Sequence, residues 1–117
     1  MPYKKSELAW AAGFFDGEGC TTAHLGYGKE RLQPRMRLSQ MSKDEVPETL
    51  LRFQKAVQLG KLYGPYRGTK NPFYVWAATR LADVESVVKL LWPFLSSPKR
   101  QQIKKCFVAY RADRKLW

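Results

Sequence analysis

The chain is poor in the residues that most often announce a function. It holds one histidine and two cysteines in 117 residues, which excludes a zinc site of the usual His and Cys spacing and a disulfide-stapled secreted scaffold. Cys20 and Cys106 read instead as small apolar residues of a reducing, intracellular setting. No uninterrupted apolar run approaches the roughly 20 residues that span a bilayer, and residues 1–5 do not read as a signal peptide, so a soluble protein with no membrane partner is expected. Acids are scarce too: ten against 21 lysines and arginines, for a net charge of +11. That imbalance points to a polyanionic partner.

The acids that remain are unevenly placed. Between Gly19 and Met41 only Glu30 stands against Lys29, Arg31, Arg35 and Arg37, and from Gly60 to Arg80 no acid accompanies Lys61, Arg67, Lys70 and Arg80. Scattered Lys and Arg ordinarily form a solvated surface. Segregation into two segments favours a nucleic-acid face. The 44% hydrophobic content suffices for one core, and residues 1–117 are expected to form a single domain.

The stretch from Ser6 to Cys20 predicts a helix with Ser6 as N-cap and Glu7 in its first turn, stopped by Gly17 and Gly19. Ala9, Ala12 and Gly13 recur at i, i+3 and i+4, leaving one flank almost without side chains, where a second helix can approach closely. Gly13 costs about 1 kcal/mol relative to alanine in a helix interior, so a packing reason is sought for it. Asp16 and Glu18 put two carboxylates where unsatisfied carbonyls already point, unfavourable by a few tenths to about 1 kcal/mol unless a cation offsets it. A divalent metal would supply that charge.

Residues 20–27 alternate as a strand, with Thr22 and His24 on one side and Thr21, Ala23 and Leu25 on the other. Gly26, Gly28 and residues 29–31 make a turn, and residues 32–41 return antiparallel with Pro34 near the start. Arg35, Arg37 and Ser39 oppose Met36, Leu38 and Gln40, while Met41 on the arginine side leaves room for a bulge. A core helix follows, beginning either at a Ser42-x-x-Glu45 capping box or with Asp44 as N-cap and Pro47 in the first turn, and ending at Gly60. A second hairpin spans residues 61–67 and 72–79, with Lys61, Tyr63, Pro65 and Arg67 on one side and Leu62, Gly64 and Tyr66 on the other. Tyr74 and Trp76 are assigned to packing and Tyr63 to the surface. Residues 81–95 predict a third helix kinked or ended by Pro93, and Ser97-Pro98 opens the last as N-cap and N1. The pattern is α+β: one antiparallel sheet with helices on one face and an open cationic face suited to a DNA groove.

Ala11-Ala12-Gly13-Phe14-Phe15-Asp16-Gly17-Glu18-Gly19 resembles the motif that names the LAGLIDADG homing endonucleases, with Ala for the initial Leu and Glu for the second acid. Residues 91–100 resemble the family's later part, and the αββαββα order extends the resemblance over nearly the whole chain. It implies a curved four-stranded saddle and a homodimer through the first helix, with Ala9, Ala12, Gly13 and Asp16 at the interface and Asp16 capping the partner helix. It further implies hydrolysis of both strands of a long pseudo-palindromic double-stranded DNA site, in the service of intron or intein mobility. The cofactor the resemblance implies is Mg²⁺ or Mn²⁺, with Ca²⁺ expected to bind without supporting cleavage. Glu18 and the Gly17 carbonyl would hold the metal. The family's basic residue near the last helix falls at Pro98 or Lys99, of which Lys99 is the candidate, and Lys43 matches a polar position after the second strand; phosphate positioning serves either lysine as well. Thr22, His24, Arg35, Arg37, Gln40, Lys61, Tyr63, Arg67 and Lys70 are the expected DNA contacts. Two other readings stand beside the nuclease: a catalytically silent DNA-binding regulator or RNA maturase of the same fold, and a basic structural protein.

Overall fold

Helix α1 (Lys5–Glu18) turns Leu8, Ala11, Ala12 and Phe15 inward, a spacing of three, one and three that keeps them on one face. The computed structural model describes residues 2–25 and 31–115, so the expected turn residues Gly26, Gly28, Lys29 and Glu30 lie outside it. The helix starts earlier than its sequence suggests. Ser6 lies within it, and Lys4 occupies the cap position without a side-chain hydrogen bond, its carbonyl accepting the Leu8 N–H at 2.9 Å.

Strands β1 (Gly19–Leu25), β2 (Leu32–Met41), β3 (Lys61–Tyr66) and β4 (Phe73–Ala78) form one antiparallel sheet in the order β1-β2-β4-β3. Pro34 faces Ala23 of β1, whereas pairing with β4 begins only at Met36, so the missing proline N–H breaks no ladder bond to β4. Helix α2 (Glu48–Val57) buries Leu50, Phe53, Ala56 and Val57. Neither expected start for it holds. Residues 42–47 are a loop in which Ser42 Oγ donates to the Glu45 carbonyl at 2.7 Å, Pro47 takes the cap, and the helix ends at left-handed Gln58 rather than Gly60. Helix α3 (Leu81–Leu91) gives way at Pro93 to a 3₁₀ turn (Trp92–Phe94), followed by α4 (Ser97–Lys115).

The core lies between the helices and one sheet face, where Met36, Leu38, Tyr74, Trp76 and Ala78 meet Phe15, Phe53, Val84, Val87, Leu91 and Ile103. Phe53 bridges the layers, stacking on Phe15 at 6.3 Å and meeting Trp76 edge-on at 4.7 Å. Helix α4 is pinned along the first hairpin: Gln102 accepts the Thr21 N–H at 3.1 Å and Asp113 the Leu32 N–H at 2.8 Å.

Alternation along β2 runs unbroken through Met41. The irregularity falls in β3, where Tyr63 pairs with Val75 and Tyr66 with Phe73, three residues against two. Gly64 takes φ 122° there, and a Cβ would lie 3.0 Å from the Phe73 carbonyl. This bulge turns Tyr66 to the same side as Tyr63, contrary to the simple alternation read from the sequence.

Candidate nucleic-acid interface and acidic helix tip

The sheet face away from the helices is organised in cross-strand rows. His24 stands opposite Gln33, Thr22 opposite Arg35, and Cys20 opposite Arg37, whose row continues through Ala77 to Lys61. The next rows are Ser39, Val75 and Tyr63, then Met41, Phe73 and Tyr66. None of the four strands contains an aspartate or glutamate. The face holds a shallow concavity of about 400 Å³ lined by Arg35, Arg37, Tyr63, Tyr66, Phe73 and Val75 among others. Arg35 is half-buried, and its Nε–H has no hydrogen-bond partner among the described residues. Lys61, Arg67 and Lys70 are exposed, the last two in the loop after β3. His24 donates Nδ1–H to the adjacent Leu25 carbonyl at 3.0 Å.

One expected contact is on the wrong side. Gln40 has the parity of Met36 and Leu38, and its amide oxygen accepts from the Thr49 hydroxyl of α2, on the helix side of the sheet. Met41, Phe73 and Tyr66 were not singled out by sequence, although the parity of Met41 with Arg37 was visible there.

Where α1 delivers the chain into β1, two carboxylates have different surroundings. Asp16 accepts the Ser96 N–H through both oxygens at 3.1 Å and its hydroxyl through Oδ1 at 2.9 Å. Its carboxylate, expected to cap a partner's helix, is therefore engaged within its own chain at the start of α4, whose first-turn Arg100 N–H binds the Ser96 carbonyl. Glu18 is exposed and makes no hydrogen bond or ion pair among the described residues. Gly19 allows the close turn into the strand, since a Cβ there would overlap the Phe15 ring at 2.3 Å. Lys99 donates Nζ–H to the Gly19 carbonyl, one residue from Glu18. Lys43 is exposed just past the end of β2, the end of the sheet at which β1 begins.

No cluster of three or more His, Cys, Asp or Glu able to hold a metal occurs among the described residues. The tip offers one unpaired carboxylate and the outward carbonyls of a helix end. Such hard, incomplete coordination suits an ion that keeps most of its waters and takes phosphate oxygens, as Mg²⁺ does, and not a protein-caged zinc.

The small-residue flank of α1 is also redrawn. Ala12 is fully buried in its own core, so the exposed stripe is Ala9, Gly13 and Gly17, at steps of four. A Cβ at Gly13 or Gly17 would meet nothing within 4 Å, and neither glycine is required by packing inside the chain.

No family model and no curated protein matches the sequence. Solved structures do. The fold is similar to that of the homing endonuclease I-CvuI in complex with the I-CreI target, at 23% identity and TM-score 0.68 over 86% of this chain and 62% of that one. It is similar also to the LAGLIDADG meganuclease I-AabMI bound to uncleaved DNA, at 22% identity and TM-score 0.65 over 93% and 37%. The archaeal intron-encoded homing endonuclease I-Vdi141I, complexed with DNA, matches at 19% identity and TM-score 0.64 over 84% and 63%.

The chain has the LAGLIDADG endonuclease fold.

On the LAGLIDADG fold, residues 11–19 cover the second half of α1 and the first residue of β1, and the open sheet with helices on one face is the expected saddle. The chain spans 62% of the length of I-CvuI, which is described with DNA in the presence of 2 mM Mg and of 2 mM Ca.

Proposed function

We propose that this chain is a sequence-specific DNA endonuclease of the homing type, acting as a homodimer and cleaving both strands of a long pseudo-palindromic site by Mg²⁺-dependent phosphodiester hydrolysis. The observation that carries the proposal is an exposed Glu18, without a partner among the described residues, at the end of α1 beside an acid-free strand face bearing Arg35, Arg37 and Lys61.

The open face binds the duplex, with Thr22, His24, Tyr63, Arg67 and Lys70 adding to the cationic rows. Arg35 and Arg37 supply donors for guanine edges or phosphates. Ala9, Gly13 and Gly17 form the flank through which two copies pack, placing two Glu18 carboxylates beside the molecular two-fold, one for each strand. Glu18 and the Gly17 carbonyl hold the divalent ion, which when bound supplies the charge that activates a water and stabilises the leaving oxygen. Lys99, held at the Gly19 carbonyl, places a cation next to that phosphate, and Lys43 lines the same end of the sheet.

A randomised duplex library incubated with the protein tests this reading, with Glu18→Gln as control. Selected duplexes should be bound in Ca²⁺ and cut on both strands in Mg²⁺ or Mn²⁺, and Glu18→Gln should bind the same duplexes with cleavage reduced at least a hundredfold. Cleavage that survives in Glu18→Gln removes the metal assignment. Selective binding without cutting by the parent protein identifies a silent regulator, and preference for RNA a maturase.

A further inference from the structure

We infer that the apolar end of the open face, formed by Met41, Phe73 and Tyr66, reads the C5-methyl groups of thymines, so that the bound half-site carries A·T pairs beneath this row and G·C pairs beneath Arg35 and Arg37. The inference rests on the reading that this face takes duplex DNA. It adds to that reading three residues and a base preference for each end of the sheet.

The row is built for exposure. Met41 is 68% exposed and Tyr66 44%, with Tyr66 and Phe73 ring centroids 5.4 Å apart. The row lies at the end of the sheet, across β2, β4 and β3, and a bulge at Gly64 brings Tyr66 to its outward side. The next row, Ser39, Val75 and Tyr63, is uncharged and offers only the Ser39 and Tyr63 hydroxyls for hydrogen bonding. Toward the opposite end of the strands the rows become polar: Arg37 with Lys61, Arg35 with Thr22, and Gln33 with His24.

The occupant of a surface that is apolar at one end, cationic at the other and free of acids has to be anionic and yet offer apolar groups. In the major groove each thymine presents a methyl group and each guanine two acceptors suited to arginine, between flanking phosphates. A two-stranded ribbon fits that groove, and rows on one face recur at every second residue, about 6.6 Å apart along the strand, close to two base-pair steps of about 3.4 Å, so that successive rows meet every second pair.

The test removes methyl groups from the DNA and leaves the protein intact. Duplexes selected from a randomised library by the full chain in Ca²⁺ are remade with each thymine in turn replaced by deoxyuridine, and their affinities are measured. One or more replacements should weaken binding roughly fourfold, the effect of losing one buried methyl. Met41→Ala or Tyr66→Ala should abolish that penalty while Arg37→Ala retains it. Tight selective binding that is indifferent to every replacement overturns the inference and leaves DNA binding standing, as does a penalty unchanged in both variants. If Met41→Ala and Tyr66→Ala alter self-association instead, the row is a protein contact and the inference fails. A chain that selects no duplex removes the underlying reading itself.

Discussion

Asp16 and Glu18 differ by two positions and by almost everything around them. Asp16 receives three hydrogen bonds from Ser96 and so closes the start of α4, whereas Glu18 reaches solvent with no partner among the described residues. Their substitutions should separate accordingly. Asp16→Ala should lower unfolding stability by about 1–2 kcal/mol, the usual cost of losing a helix cap, read from urea denaturation. Glu18→Gln should leave stability within about 0.5 kcal/mol, as surface changes do, while removing cleavage. A second residue-scale prediction concerns Glu7. The hydrogen bonds from Arg52, at 2.8 and 3.0 Å, hold its carboxyl below the ordinary glutamate value, and Arg52 also lies 3.9 Å over the Trp10 ring. A carboxyl depressed in the folded state stabilises the fold above its unfolded pKa, and that contribution is lost as the pH falls through the folded one. Glu7→Gln should therefore flatten the acid side of the stability–pH curve, measured by thermal unfolding below pH 5, and leave its neutral side parallel to the parent's.

At the scale of elements, helix α1 shows how far sequence reading reaches. Its existence, its glycine-bracketed end and its two carboxylates were legible, because capping, periodicity and charge at a helix end are local. Which flank was free was not. Ala9, Ala11, Ala12 and Gly13 are all small, so periodicity cannot rank their faces, and only the packing of Phe15 and Leu8 shows that Ala12 is inside and Ala9 and Gly13 outside. The same holds for β3, since its bulge depends on a cross-strand register that alternation assumes to be regular. Gln40 was misassigned although its parity with Leu38 was visible. Gly13 gives the sharpest element-scale prediction. For an isolated chain Gly13→Ala should raise stability by about 1 kcal/mol, because the added methyl meets nothing. If α1 packs against a second copy, Gly13→Leu should keep the helical signal and shift sedimentation from dimer to monomer, and Gly13→Ala should weaken the dimer despite its helix propensity.

For the whole molecule the excess of eleven positive charges is the dominant physical fact. Neutralising Z phosphates makes the logarithm of the binding constant fall with the logarithm of salt at a slope of about −0.9Z. Lys61, Arg67 and Lys70 are exposed and unpaired by any hydrogen bond among the described residues, and under the proposed function they would meet phosphates. Replacing each by alanine should lower the slope by about 1 and weaken all duplexes alike, whereas Arg35→Ala or Arg37→Ala should change which duplexes are chosen. Titrations from 50 to 300 mM salt distinguish the two groups.

The pinning of α4 along the first hairpin has a consequence for how this protein can grow. With the Thr21 amide already occupied by Gln102 on one rim of the sheet, and the other rim interrupted by a bulge and Pro65, neither side presents an unbroken ladder to an incoming strand. Strand addition and cross-β polymerisation are thereby discouraged, so that a second chain, where one binds, has to meet side chains and not free backbone.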